Sequence, residues 1–370
     1  MQNLRERENL SSPIMDRLTE GKVELGGVIV KCVASNVRRL DIPWNSYGLV
    51  YGKGMEGNLV VVEATTSYGF RTEVENQQGR DERIYQGDRF VAVLANRHSG
   101  TSESGDIPAA GIDIQEGQEL HLLSAGGVVG IKSGMPGRGQ EPLVLKPLGL
   151  VADHDKPVDL IKLSGGHHEV LGPSARIIMV CGTSAEVGKT TTAAGLIRAF
   201  SGEGLQVAAT KFSGTGRLRD ILSLRDAGAL PWSDFPDVGL ATTYTNSERF
   251  TRGVYTLFNR VNAGNPGIII AEAGGDPIEA NVPTFLQNLE LMKNVEAIVL
   301  VAGDVMGMMG SIAYLRKYAT DIPMFLTDPK GRNPVTTRER VRHELPGIPI
   351  FNSLNPLEVR DVAKQILISK

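Results

Sequence analysis

The stretch Gly182-Thr183-Ser184-Ala185-Glu186-Val187-Gly188-Lys189-Thr190 decides how this chain is read. It follows an apolar run, Ile177-Ile178-Met179-Val180-Cys181, and leads into Thr191-Thr192-Ala193-Ala194-Gly195-Leu196-Ile197-Arg198-Ala199-Phe200, which has the pattern of a helix. Strand, glycine-bounded loop and helix in that order predict a phosphate cradle. Backbone N–H groups converge on the anion, the helix N-terminus adds partial positive charge, and Lys189 supplies a full one. Thr190 places a hydroxyl where a phosphate-bound Mg²⁺ sits. The candidate nucleotide-binding residues are therefore Gly182, Thr183, Ser184, Ala185, Glu186, Val187, Gly188, Lys189, Thr190 and Thr191. The general pattern has four residues between its glycines. Here Gly182 and Gly188 enclose five, and Thr183 stands where the first glycine is expected.

Working outward, the composition bounds the rest. A chain of 370 residues with 41% hydrophobic and 22% charged residues is long enough for two domains and is not disordered. A formal net charge of −3 gives no electrostatic footprint for nucleic acid or an anionic membrane. The two cysteines, Cys32 and Cys181, supply neither a disulfide nor a zinc framework. No apolar run reaches membrane-spanning length and the N-terminus lacks a signal-peptide segment, so a soluble, cytoplasmic protein is expected.

The two halves differ in texture. Residues 1–172 are rich in glycine and short β-like segments: 27–33, 58–64, 89–95, 119–124 and 143–146. Turn signals such as Gln86-Gly87-Asp88 and Gln115-Glu116-Gly117 separate them, and a helix is expected only over 12–20. This half predicts a smaller β-rich domain, a barrel or a sandwich, joined to the rest by a loop-like stretch over 153–172.

Residues 173–370 alternate. Strands are predicted at 177–181, 206–211, 267–271, 297–302, 323–326 and 348–351. Helical patterns fall at 189–201, 220–229, 247–262, 282–293, 307–318, 336–345 and 356–367. Near-continuous apolar strands alternating with helices specify an α/β fold, a doubly wound, mostly parallel sheet whose ligands lie beyond the strand C-terminal ends. Polar residues after the strands then share one rim: Lys211 with Asp220 nine residues on, Glu272 before Ala273-Gly274-Gly275, and Asp304. Thr190, Asp220 and Glu272 would give Mg²⁺ the oxygen ligands it prefers. Alternatives stand beside these readings: Asp220 or Asp304 as a helix cap, Glu272 as a solvated strand end, Lys211 in solvent.

The loop GTSAEVGKT, with its five-residue interval, resembles the GTxxxVGKT loop of the dethiobiotin synthetase family. Lys211-Phe212-Ser213-Gly214-Thr215-Gly216, Asp220-Ile221-Leu222-Ser223-Leu224 and Glu272-Ala273-Gly274-Gly275 are similar to that family's later motifs. Phe212 stands where proline is usual, and a glycine is missing after Glu272. The resemblance spans roughly residues 176–352 and implies an Mg²⁺- and ATP-dependent ligase, with a homodimer. It implies that Lys189 and Lys211 serve the transferring phosphoryl group as catalytic residues, that Thr190, Asp220 and Glu272 hold Mg²⁺, and that Ser213, Gly274 and Gly275 meet a small-molecule substrate. A ligase or a small-molecule kinase is thus one expectation. A nucleotide-controlled switch or assembly ATPase, its β-rich domain bound to a partner protein, is the other. The early loop lysine of dimeric switch ATPases is absent between Thr183 and Val187.

Three weaker signals remain. The polar segment 96–106 reads as a solvated hairpin loop or as an anion- or substrate-binding surface. Gly126-Gly127-Val128-Val129-Gly130 reads as a tight barrel corner, and His167-His168 as linker residues without metal spacing.

Overall fold

A computed structural model describes residues 23–37, 42–135, 137, 141–330 and 334–368. The helix expected over 12–20 lies outside the described residues.

The first half closes into a β-barrel. Strand Val128–Gly134 pairs antiparallel with Leu120–Ser124 on one side and parallel with Arg89–Leu94 on the other. Leu120–Ser124 pairs with Val144–Asp153, which pairs with Leu59–Ala64, which in turn pairs with Arg89–Leu94. Five strands therefore form a ring, and closure removes the exposed edges that an open sheet would leave. Alternation sorts the side chains. Val60, Val62, Ala92, Leu122 and Val129 share one buried cluster, while Leu59, Val61, Val91, Val93 and Val128 share another. Both faces of these strands are covered, so they read as continuous apolar runs. The second cluster also takes in Leu160 of the connector and Ala241 of the second half, so the two halves share a core.

The connector is more ordered than a loop. It holds a short helix, Leu160–Leu163, capped by Asp159, whose carboxylate accepts the amides of Ile161 at 2.9 Å and Lys162 at 3.3 Å.

The second half is a seven-stranded parallel sheet. Its strands are β1 (Arg176–Gly182), β2 (Val207–Lys211), β3 (Trp232–Asp234), β4 (Ile268–Glu272), β5 (Val295–Val301), β6 (Met324–Thr327) and β7 (Ile350–Phe351), in spatial order β3-β2-β4-β1-β5-β6-β7. The helices that position the site are α1 (Lys189–Gly202), α2 (Leu218–Asp226) and α3 (Ser247–Asn262). Along β1 the side chains alternate between the two covered faces: Ile177, Met179 and Cys181 on one, Ile178 and Val180 on the other. Among the described strands of this half, the sequence pattern missed β3, a three-residue edge strand too short to show a period, and it missed the helical turn Phe235–Val238 that follows. It also merged 282–293, which Asn288 divides by ending one helix and capping the next, Leu289–Met292. Among the described residues no helix is long and apolar enough to cross a membrane.

The barrel meets the sheet domain on segments that follow β2 and β3. The amide of Asn36 donates to the Ala241 carbonyl at 3.3 Å, that of Asn96 to the Tyr244 carbonyl at 3.0 Å, and the Thr242 hydroxyl to the Asn96 carbonyl at 2.7 Å. At Gly126 the two backbones touch: a Cβ there would lie 2.1 Å from the Gly216 carbonyl oxygen. The predicted barrel corner is thus also a docking point between domains.

Candidate nucleotide site between the two domains

The phosphate loop is built as its sequence requires. Gly188, immediately before α1, adopts φ 107°, and a Cβ there would sit 2.6 Å from a ring carbon of Pro329, so only glycine fits. Glu186 is left-handed without being glycine, at φ 62°, a mark of local strain in the loop. Lys189, 6% exposed, donates to the Ser184 carbonyl at 2.6 Å, curling back over its own loop. Burial pulls its ammonium below the ordinary lysine value, against the attraction of Glu272.

Two polar pairs flank the loop. The Thr190 hydroxyl donates to one oxygen of Glu272 at 3.0 Å; the other oxygen is buried without a protein partner. Burial raises the Glu272 pKa, with Lys211 acting against that rise. The Lys211 ammonium reaches Asp220 at 2.5 Å. Burial opposes its charge, but Asp220 and Glu272 outweigh burial and hold it above the usual lysine range. Asp220 likewise pays for burial yet is drawn below the usual carboxylate range by Lys211. A buried carboxylate oxygen with no partner, beside a threonine hydroxyl and a second carboxylate, is a hard-oxygen donor set that fits Mg²⁺.

These groups line one cavity of about 430 Å³, together with Ala185, Glu186, Gly188, Thr191, Gly274 and Gly275. The structure thus brings Lys189, Thr190, Lys211, Asp220 and Glu272 together. Three readings are corrected or settled. Ser213 is fully buried, its hydroxyl donates to the Gly274 carbonyl at 3.2 Å, and it does not line the cavity, so its role is to tie two loops rather than to meet substrate. Asp304 caps its helix, accepting the Gly307 amide at 2.8 Å. Asp220 is no cap, because α2 starts at Leu218. Phe212 is fully buried and stacks on Phe285 with ring centroids 4.2 Å apart, which accounts for an aromatic at that position.

The opposite wall was not read from the sequence in full. It comes from the barrel, as Arg71, Arg97, Ser99, Ser124 and Ala125. Arg97 and Ser99 belong to the polar segment 96–106, one of whose two readings was an anion-binding surface; Arg71 had no signal at all. Tyr244 and Glu279 also line the cavity and hydrogen-bond to each other. Burial, then Asp276, raises the Glu279 pKa. His167 and His168 are packed on the second domain: His167 donates to the Val238 carbonyl at 2.8 Å, and Asn259 bonds the His168 ring at 2.9 Å.

Solved structures that match part of this chain include the signal recognition particle 54 kDa protein from Aeropyrum pernix K1 in complex with GDP, at 20% identity and TM-score 0.34, covering 56% of this chain and 50% of that one. HypB from Helicobacter pylori in complex with nickel is 15% identical, with TM-score 0.34, covering 52% and 86%. The signal recognition particle receptor FtsY from Elizabethkingia anophelis is 18% identical, with TM-score 0.32, covering 56% and 75%. The chain thus spans about half the length of the first of these. No curated protein matches it. Residues 178–364, half of the chain, match the family described as the CobQ/CobB/MinD/ParA nucleotide binding domain. With its phosphate loop, parallel sheet and rim of charged residues, the chain belongs to that family of P-loop nucleotide-binding proteins.

Proposed function

We propose that this protein is an ATP- and Mg²⁺-dependent phosphoryl-transfer enzyme acting on a small molecule held between its two domains. One observation carries the reading: the phosphate loop opens into a cavity whose far wall is supplied by the barrel. A small acceptor enclosed there would lie beside the terminal phosphate. Transfer of that group spreads negative charge over its oxygens, so catalysis is mainly positioning and neutralisation. Lys189 and Lys211 bring two positive charges to that region. Thr190, Glu272 and Asp220 are the residues that would hold Mg²⁺, which supplies further charge neutralisation when bound. Glu279, its proton affinity raised by burial, is placed to take a proton from the acceptor, and Tyr244 orients it.

The likeness of the loop and strand-end motifs to dethiobiotin synthetase supports a ligase, in which phosphate activates an acyl or carbamoyl group for amine attack. A kinase would share every step but the last. ATP rather than GTP rests on the same likeness. The alternative, a nucleotide-controlled switch, draws support from the direct hydrogen bonds between barrel and sheet domain. ATP hydrolysis measured with and without amino acids, diamines and bicarbonate separates the two. Stimulation by one small molecule supports the enzyme, and stimulation only by a protein supports the switch.

A further inference from the structure

The barrel's share of the cavity has a chemistry of its own. Arg71 donates to Glu103 Oε1 at 3.2 Å, and Arg97 donates to Glu103 Oε2 at 3.0 Å. Glu103 is fully buried and also receives the Ser102 hydroxyl, while Arg97 is further tied to the Leu123 carbonyl. Two guanidinium groups therefore share one carboxylate, leaving one positive charge in excess. The Arg97 side chain is only 14% exposed, and its Nε is buried with no protein partner. An excess cation held out of water is costly unless an anion meets it.

Nor are these arginines absorbed elsewhere. Among the other cations of the cavity wall, Lys211 is matched by Asp220, Arg217 by Glu75 and Arg219 by Asp81, while Lys330 lies on the sheet domain. Lys189 belongs to the phosphate loop. The Arg71–Arg97 pair sits on the other domain, with its hydrogen-bonding capacity only partly used. Its mounting is rigid: Asn96, next to Arg97, is bonded to the second domain at both Thr242 and Tyr244. A fixed pair of guanidinium forks is suited to a planar or tetrahedral oxyanion.

We infer that Arg71 and Arg97, with the Ser99 hydroxyl beside them, form the subsite for an oxyanion on the acceptor, a carboxylate or a phosphate ester. The acceptor is then a small acid, bound by its charged end to the barrel with its reacting group toward the phosphate loop. This rests on the reading of the cavity as a joint nucleotide and acceptor site.

The test uses the full chain saturated with Mg²⁺ and a non-hydrolysable ATP analogue, loading itself being followed by calorimetry. Succinate and glycerol 3-phosphate are then titrated against the uncharged succinamide and glycerol. One acid binds and its uncharged counterpart does not; which acid binds separates carboxylate from phosphate ester. Arg97→Met weakens that binding about tenfold or more, the loss of charge-assisted hydrogen bonds, and leaves affinity for the ATP analogue within about twofold. Arg71→Met, at a more exposed position, has the same direction and covers the case in which the Arg97 variant fails to fold. The subsite is overturned if neither acid binds the loaded protein, if the uncharged probes bind equally well, or if the variants bind acid as the wild type does. It is equally overturned if the variants lose the ATP analogue instead, which would assign the arginines to the nucleotide. A wild type that never loads fails at the earlier step and removes the nucleotide reading itself.

Discussion

The carboxylate of Glu75, on the barrel, accepts the backbone amide of Leu218, on the sheet domain, at 2.6 Å, and that of Arg219 at 3.2 Å. Helix α2 has no cap from its own chain segment: Arg217 at the N-cap makes no side-chain cap bond. One domain therefore caps a helix of the other with a fully buried carboxylate, which also receives the Ser35 hydroxyl and lies 3.6 Å from Arg217. Helix α2 carries Asp220, and Asp220 holds Lys211. The barrel thus reaches the phosphate side of the cavity through two contacts joined by one helix.

Removing that cap should cost both stability and nucleotide affinity. Glu75→Ala leaves the two helix amides of Leu218 and Arg219 without their acceptor, an expected loss of about 1–3 kcal/mol. Urea denaturation measures it, and a wild-type midpoint in the variant would mean that the contact holds nothing in place.

Glu272→Gln should weaken Mg²⁺ dependence more than nucleotide binding. The amide keeps the size of the carboxylate and an oxygen for the Thr190 hydroxyl but removes the negative charge that a divalent cation seeks. Metal titrations of ATP hydrolysis should shift to higher Mg²⁺, by about tenfold or more for a lost charge contact. An unchanged titration would take Glu272 out of the metal site.

Acid should destabilise the protein from about pH 6.5 downward. Burial lowers the pKa of both His121 and His167, so each binds its proton less readily folded than unfolded. The unfolded chain gains protons first as pH falls through its ordinary histidine value of about 6.5, and stability is lost until the lower folded value is passed. His167→Gln keeps a donor for the Val238 carbonyl and cannot titrate. Melting temperatures between pH 8 and pH 5 should fall less steeply in the variant; parallel curves would exclude His167 as a contributor.

Lys189→Ala should abolish turnover while leaving the fold intact. The ammonium is buried at a cost, and among the described residues its hydrogen bond is to the Ser184 carbonyl of the same loop, so the fold gains little from it. Circular dichroism and a steady-state rate together decide this, near-normal kinetics being the adverse outcome.

How much of this was legible beforehand follows from the range of the interactions. The phosphate loop is local: its glycines, lysine and threonine lie within nine residues, flanked by a strand and a helix whose patterns are strong. Lys211, Asp220 and Glu272 were legible because a parallel sheet brings strand C-terminal ends to one rim. Ser213 was misplaced because sequence position gives the rim but not which way a side chain turns. Arg71, Glu75 and Glu279 were invisible, and Glu103 was seen only as one residue of the polar segment 96–106. Arg71, Glu75 and Glu103 owe their roles to the way the barrel docks on the second half, through contacts such as the one 143 residues long between Glu75 and Leu218. Glu279 owes its role to the closing of the same cavity. No local period or motif encodes such packing.

Isothermal titration of Mg²⁺-ATP into the full chain, beside Lys189→Ala, addresses the central assignment most directly. The wild type should take up one nucleotide per chain, with saturable heat that the variant reduces sharply. A wild type that binds neither ATP nor GTP with Mg²⁺ present, or a variant that binds them equally well, would contradict it.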